Sequence, residues 1–269
     1  MISFSETYHE YTQIEETDYY YHYQNKKLPF LYSCNRLRFK RNPTLEEFCL
    51  AEKNLTDFQR KTQQDFIYLY GPENEPFSKE IEEYLATENY TVSAEELLVI
   101  DPKDFYFTHQ NEEIKVSLVE NNEQLKEYLE FMYQLNLKNG MSYAHKKQKF
   151  YLDRFISPEI QQINAYLNGQ VVGTVNIIIS SKYIEIDHFE VAPNFQNKGI
   201  GTQIQRFIMA LAKDKKVLLV VDKETKANHM YYHQGYQFCG YQLSAFKRFK
   251  STTVINIPQN SSSIASTSL

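Results

Sequence analysis

The stretch VAPNFQNKGIGTQIQ, Val191 to Gln205, holds the residues best suited to binding chemistry. Gly199 and Gly201 stand where an extended segment gives way to a helical apolar period carried by Ile204, Phe207, Ile208 and Leu211. At a helix start, successive backbone N–H groups have no partner inside the helix and can satisfy phosphate oxygens, and a glycine lets the anion approach where a Cβ would obstruct it. The same residues also suit a plain tight connection between strand and helix, and physical features alone leave both readings open. GIGTQI is not a dinucleotide fingerprint, because Ile204 occupies the third-glycine position, and it lacks the lysine and hydroxyl of a Walker loop.

Other reactive side chains are sparser. His229 and His233 are four apart and share a helical side, but no HExxH glutamate and no third ligand accompany them, so no metal is expected. Cys34, Cys49 and Cys239 lack metal-ligand spacing and cannot all pair, which fits a reducing, cytoplasmic interior. RLRFKR, Arg36 to Arg41, suits contact with an acidic ligand, yet its alternation also fits a strand with one wet face, and the structural reading is preferred. TDYYYHYQ, with Tyr19, Tyr20, Tyr21 and Tyr23 around His22, reads as a packed strand or surface layer.

Composition bounds the class. A chain of 269 residues with 42% hydrophobic and 15% aromatic content can bury a real core, in one large domain or two. Its 34 acidic against 29 basic residues, a formal charge of −5, give no polyanion-binding signature, so nucleic acid is not an expected partner. MISFSETYHEY lacks a basic region followed by an apolar export segment, and no run approaches the roughly 18 to 20 apolar residues of a membrane span, so no membrane association is expected.

The elements that would position these residues can be read in order. Thr44 caps a helix over TLEEFCLAEKNLTDFQRKTQ, with Glu47 at the capping-box position and Leu45, Phe48, Leu55 and Phe58 as its buried stripe. DFIYLY reads as a strand ended by a Gly71 and Pro72 breaker, followed by a helix around SKEIEEYLATEN and two strand-like segments, NYTVSA and ELLVIDP. A charge-rich transition lies at Asp104 to Glu113. Beyond it come the strand IKVSLVE, helices around NEQLKEYLEFMYQLN and HKKQKFYLDRF, and a hairpin turning at Asn168 and Gly169. YIEIDHFEV is a strand whose alternation falters at Asp187 and His188, as a bulge would make it. Regular pairing would put Glu185 on the face opposite His188 and Glu190. VLLVVD, a helix through KANHMYYHQ, and the strands YQFCGYQLSAFKR and STTVINI complete the order before a Ser-rich tail. The succession DFIYLY, EIEEYLATENY, ELLVI is echoed by VLLVVD, HMYYHQGY, YQLSAF, a weak internal duplication in which the first copy has no QNKGIG.

Two motifs carry a family resemblance. QNKGIG resembles the Q/R-x-x-G-x-G/A loop of the GCN5-related N-acetyltransferases, the GNAT superfamily. VAP before it resembles the end of that superfamily's fourth core strand, and MYYHQGY, Met230 to Tyr236, resembles its apolar-Tyr-x-x-x-Gly-aromatic pattern. The resemblance runs from about Ile114 through Arg248. It implies a mixed α/β (α+β) fold, a GNAT-like twisted mixed sheet with flanking helices and a second, smaller α/β domain, with acetyl-CoA entering between two splayed central strands. Gln196, Gly199, Ile200, Gly201 and Thr202 would surround the pyrophosphate through backbone N–H groups, with Asn197 and Lys198 near the loop, and the Val191 backbone would align the pantetheine and acetyl carbonyl. Residues 113–257 would be this catalytic domain, residues 1–112 an accessory domain resembling a reduced GNAT-like repeat, and residues 258–269 a flexible tail.

Tyr231 falls at the tyrosine position of the motif and is the candidate acid for the departing thiolate, while Tyr232 points elsewhere on a helix. Glu190 and His188, beside Val191, are the candidate bases, directly or through water. The expected function is acetyl-CoA-dependent transfer of an acetyl group to a primary amine of a small molecule, amino-acid derivative or peptide. The alternative is a noncatalytic acyl-CoA-binding or protein-interaction module. Nothing in the sequence indicates an oligomeric state.

Overall fold

The computed structural model describes residues 2–107 and 111–249. STTVINI and the Ser-rich tail lie outside them. Among the described residues, eleven strands form one mixed sheet, in the order β1-β2-β3-β4-β11-β5-β10-β9-β8-β7-β6. The first half supplies β1 (Thr12–Glu16), β2 (Tyr20–Gln24), β3 (Arg36–Phe39), α1 (Leu45–Lys61), β4 (Phe66–Glu73), α2 (Lys79–Thr87) and β5 (Thr91–Ile100). The second supplies β6 (Ile114–Leu118), α3 (Asn122–Asn136), α4 (Met141–Phe155), β7 (Ile160–Leu167), β8 (Gln170–Ile179), β9 (Tyr183–Val191), α5 (Ile200–Ala212), β10 (Lys216–Asp222), α6 (Lys226–His233) and β11 (Gln237–Arg248). None of these helices is long and apolar enough to cross a membrane.

Local chemistry explains most boundaries. Thr44 Oγ1 accepts the Glu47 N–H while the Glu47 carboxylate accepts the Thr44 N–H, closing the start of α1. Phe48, Ala51 and Leu55 then fall on one face and bury against β2, β3 and β4. The β7–β8 turn places Asn168 and Gly169 at φ of 52° and 77°, the left-handed pair that a two-residue hairpin requires. Gly71 and Pro72 do not end their strand. β4 continues to Glu73, with Tyr70 opposite Ser244 and Glu73 opposite Gln242, so the pair sits in a bulge facing Leu243, where the missing proline N–H breaks no ladder bond. NYTVSA and ELLVIDP are likewise not two strands but the single β5, since all ten residues find antiparallel partners on one or both sides.

The two halves repeat one connectivity. β3-α1-β4 is a parallel crossover followed by α2 and β5, and β9-α5-β10 is a parallel crossover followed by α6 and β11. Each final strand then leaves its own half. β5 inserts between β10 and β11, while β11 inserts between β4 and β5. Packing follows the exchange, because Leu98 and Ile100 of β5 join the core beneath α5, and Ala245 of β11 joins the core beneath α1.

Neither half can complete its sheet alone. Urea unfolding of the full chain is therefore expected to show one cooperative transition, coincident by far-ultraviolet circular dichroism and tyrosine fluorescence. Residues 2–112 and 113–249 produced separately are expected to be insoluble or non-cooperative. Two independent transitions in the full chain, or a cooperatively folding fragment, would contradict the interlocked sheet.

Candidate functional site

The parallel neighbours β9 and β10 pair only from Tyr183 to Ile186 against Lys216 to Leu219, and then diverge. β9 continues past the last pair with a bulge. Thr174 on β8 faces Glu190 and Asn176 faces Asp187, so Val175 is opposite both His188 and Phe189. His188 takes φ 49° to make this turn. The bulge shifts the side-chain alternation, so Glu185, Asp187 and His188 border one cavity, and the expectation that Glu185 and His188 lie on opposite faces is corrected.

On the helical side of the divergence lies a cleft of about 610 Å³. Its walls are Phe189 to Val191, Phe195, the loop through Gln196 and Asn197, the first residues of α5, and Lys226, Ala227, Met230 and Tyr231 of α6. Gly199 takes φ 82°, where an L side chain is strained, and leads into α5 without a side-chain cap. The N–H groups of Ile200, Gly201 and Thr202 consequently have no hydrogen-bond acceptor among the described residues. At Gly201 a Cβ would come only to 3.7 Å of Phe189 and 3.9 Å of Met230, leaving room over the open amides. Gln196 Nε2 donates to the Val191 carbonyl at 3.2 Å, tying the loop to the strand end.

Tyr231 is 5% exposed, and burial holds its phenol well above the usual range, so it stays protonated. Its ring packs edge-on against Tyr236, and its hydroxyl has no partner among the described residues. Glu190 borders the same cleft. Burial raises its carboxyl pKa against the opposing pull of Lys138 and Lys147, and its side chain forms no hydrogen bond among the described residues. A raised, unengaged carboxylate is suited to accepting a proton.

Behind the bulge, on the side away from α5 and α6, is a polar cavity of about 270 Å³. A chain of polar and charged contacts runs from α4 to its wall. Lys147 Nζ lies 2.9 Å from His188 Nε2, Arg154 Nη1 is 2.6 Å from Asp187 Oδ2, and Arg154 Nη2 is 3.2 Å from Glu10 Oε2. His188 Nδ1 is 2.9 Å from Asp187 Oδ1 but off the hydrogen-bonding direction, while the His188 N–H donates to that oxygen, so the ring contact is electrostatic. Burial, helped by Arg154, pulls Lys147 down to about 7, and its amine can donate to the histidine. Burial alone would raise Asp187, but His188 and Arg154 hold it well below the carboxylate range. Burial pushes Glu185 up to about 8, although the Tyr8 N–H donates to it at 2.6 Å.

A model of the acetyltransferase (GNAT) family matches residues 122–236, and a model of a domain of unknown function, DUF5613, matches residues 2–98. Residues 122–236 thus match a GNAT-family acetyltransferase domain. No curated protein matches it. A functionally unknown conserved protein from Staphylococcus epidermidis is 27% identical, with 93% of this chain and 98% of that one covered at a TM-score of 0.84. A GCN5-related N-acetyltransferase from Kribbella flavida, 12% identical, aligns over 88% of this chain and 89% of its own at 0.59. One from Sphaerobacter thermophilus, 15% identical, aligns over 76% and 67% at 0.56. The last two share the fold, including the mixed α/β sheet.

Within the GNAT domain, Val191, Gln196, Asn197, Gly199, Ile200, Gly201 and Thr202 line one cleft with Glu190 and Tyr231. Lys198 faces a neighbouring hollow with His233 and Gln234, its amine over the Phe195 ring. Tyr232 points away and donates to Glu96 at 2.7 Å. His188 belongs to the polar cavity and not to the cleft wall. Sequence reasoning missed Lys147 and Arg154, whose seven-residue spacing puts them on one face of α4 with buried Phe150 and Tyr151. Glu10 carried no signal, since only the tertiary fold brings it to Arg154.

The raised carboxyl gives a sign for pH dependence. Burial pushes the Glu185 carboxyl from its ordinary 4.5 up to about 8 in the fold, so its contribution to stability is fully present below pH 4.5 and lost as pH rises through that window. Glu185→Gln removes that loss. The variant is expected to gain on the order of a few kcal/mol on the parent between about pH 4 and about pH 9 in urea titrations, whereas a pH-independent difference would show the carboxyl to be unperturbed.

Proposed function

We propose that the chain is an acetyl-CoA-dependent N-acetyltransferase that acetylates a primary amine by direct transfer. The GNAT-family match over residues 122–236 supports an acyltransferase drawing on an acyl-CoA. The observation that supports the reading furthest is the run of unsatisfied N–H groups at Ile200, Gly201 and Thr202, opening onto a cleft that also holds Glu190 and Tyr231. Those amides and the positive end of the α5 dipole suit a pyrophosphate, with Gln196 and Asn197 beside it and Lys198 at the rim.

Bound acetyl-CoA supplies a thioester activated toward an amine. The chain's residues align the reacting carbonyl against the Val191 backbone, take a proton from the amine at Glu190 and offer a hydrogen from the Tyr231 hydroxyl to the departing sulfur. His188, held between Lys147 and Asp187, fixes the bulge that aims Glu190 and is a positioning residue in this scheme. The amine–carbon bond forms as the carbon–sulfur bond breaks.

Residues 1–112 enter the proposal as a reduced repeat without a cofactor site of its own. At the equivalent place in that half, the start of α1 is filled by Thr44 and by Glu47, which is paired with Arg41 at 2.7 Å. A capped helix start bearing Glu46 and Glu47 repels a phosphate.

Calorimetry is expected to show acetyl-CoA binding by the parent and its loss in folded Gly201→Trp, whose indole would fill the space over the amides. Unchanged binding by that variant would refute the cradle. With an amine panel, release of CoA and an acetylated product by mass spectrometry are expected. Tyr231→Phe and Glu190→Gln should each lower kcat by roughly 10²- to 10⁴-fold with acetyl-CoA affinity retained. Full turnover in either, where chemistry limits the rate, would remove that residue from its role.

A further inference from the structure

We infer that the acceptor amine also carries a carboxylate, which Arg36 and Arg38 of the amino-terminal half bind inside the polar cavity; the inference rests on the acyl-transfer reading above. The first four residues of RLRFKR form β3, with Leu37 and Phe39 in the core and Arg36 and Arg38 turned to the opposite face, where both line the cavity. The ion-paired arginines are Arg41, Arg154 and Arg248, whereas Arg36 and Arg38 meet no carboxylate at ion-pair distance among the described residues. Arg36 lies deep in the molecule with its Nε buried and without an acceptor. Its guanidinium is stacked 4.0 Å from the Tyr70 ring and 4.9 Å from the Tyr11 ring, and one nitrogen donates to Tyr11 Oη at 3.0 Å. The aromatic rings fix the plane of the guanidinium and leave donors over, the arrangement that a carboxylate answers with two parallel hydrogen bonds.

The cavity's own acids do not fill this role. Glu10 and Asp187 are held by Arg154, Glu185 accepts from the Tyr8 N–H, and Glu95 accepts from Tyr70 Oη at 2.9 Å. Burial raises the Glu95 carboxyl against the opposing pull of Arg36. A sphere of 270 Å³ is about 8 Å across, below the usual size of drug-binding pockets, so the space suits a molecule of amino-acid size. His188, Asp187 and Glu185 border its other side, next to the β9 bulge. A carboxylate on Arg36 thus directs the amine of the same small molecule toward the divergence of β9 and β10, where Glu190 and the acyl-CoA cleft begin. The amino-terminal half, in this account, supplies the acceptor's recognition and the carboxy-terminal half its chemistry.

The test uses the full chain and free amino acids, each compared with its carboxamide and its decarboxylated amine. CoA release measures transfer, and calorimetry in the presence of CoA measures acceptor binding without chemistry. At least one free amino acid is expected to bind and to react with kcat/KM about 10- to 100-fold above its amide. Arg36→Gln should raise KM for the acid by a similar factor, leave kcat within a few-fold, and abolish the preference for acid over amide. Arg38→Gln, at a less enclosed position, carries the comparison if Arg36→Gln does not fold. Acid and amide used or bound alike, or an equal loss on both in the variants, overturns the inference. Acetyl-CoA binding with no arginine-dependent amino-acid binding overturns it while the acyl-transfer reading stands. Amino-acid binding without acetyl-CoA binding retains the carboxylate site and removes the acyl-transfer reading.

Discussion

The antiparallel pairing of β5 with β11 is the constraint on which the rest of the molecule depends. Thr91 to Val99 faces Gln237 to Phe246, so the last strand of each half is held by the last strand of the other. Because β5 also pairs with β10 and β11 with β4, the exchange joins two crossover units into one sheet and removes two interior edges. It also sets the distance between the first half's arginines and the second half's bulge. β3 and β9 lie one strand beyond β4 and β10 on either side of the exchanged pair, and both border the same polar cavity.

Within that frame, the β9 bulge divides two environments. Toward α5 and α6, backbone amides and two protonatable side chains open onto one cleft. Away from them, Arg154 pairs with Asp187 and Glu10, and the Lys147 amine meets the His188 ring. A buried pair with one partner removed is strongly destabilising, so loss of any one member of the Asp187–Arg154–Glu10 group would leave a buried charge uncompensated. The stacked guanidinium of Arg36 is the exception, buried with donors to spare.

Sequence reasoning reached the parts of this arrangement that are local. The capping box at Thr44, the hairpin at Asn168 and Gly169, and the helix opening at Gly199 depend on residues within a few positions of one another, and each can be read from spacing. The faltering alternation at Asp187 and His188 was visible as well, because a bulge leaves a phase shift in the strand pattern. The cavity was not legible. It is assembled from β3, β5, α4, β9 and the segment before β1, and no periodicity links Arg36 to Glu95 or Arg154 to Glu10. Gly71 and Pro72 misled for a related reason, since a breaker pair and a bulge pair look alike until the partner strand is known. RLRFKR invited two readings, and the strand geometry satisfies the apolar one with Leu37 and Phe39 while leaving Arg36 and Arg38 without a carboxylate at ion-pair distance among the described residues.

The exchanged strand also has a consequence in time. β4 and β5 emerge from the ribosome long before β11, the strand that lies between them, exists. During synthesis both present open hydrogen-bonding edges next to apolar side chains such as Leu69, Leu97 and Leu98. In the nascent first half the sheet therefore ends at β4 and β5 has no partner, and the quality-control hazard ends only when the second half delivers β10 and β11.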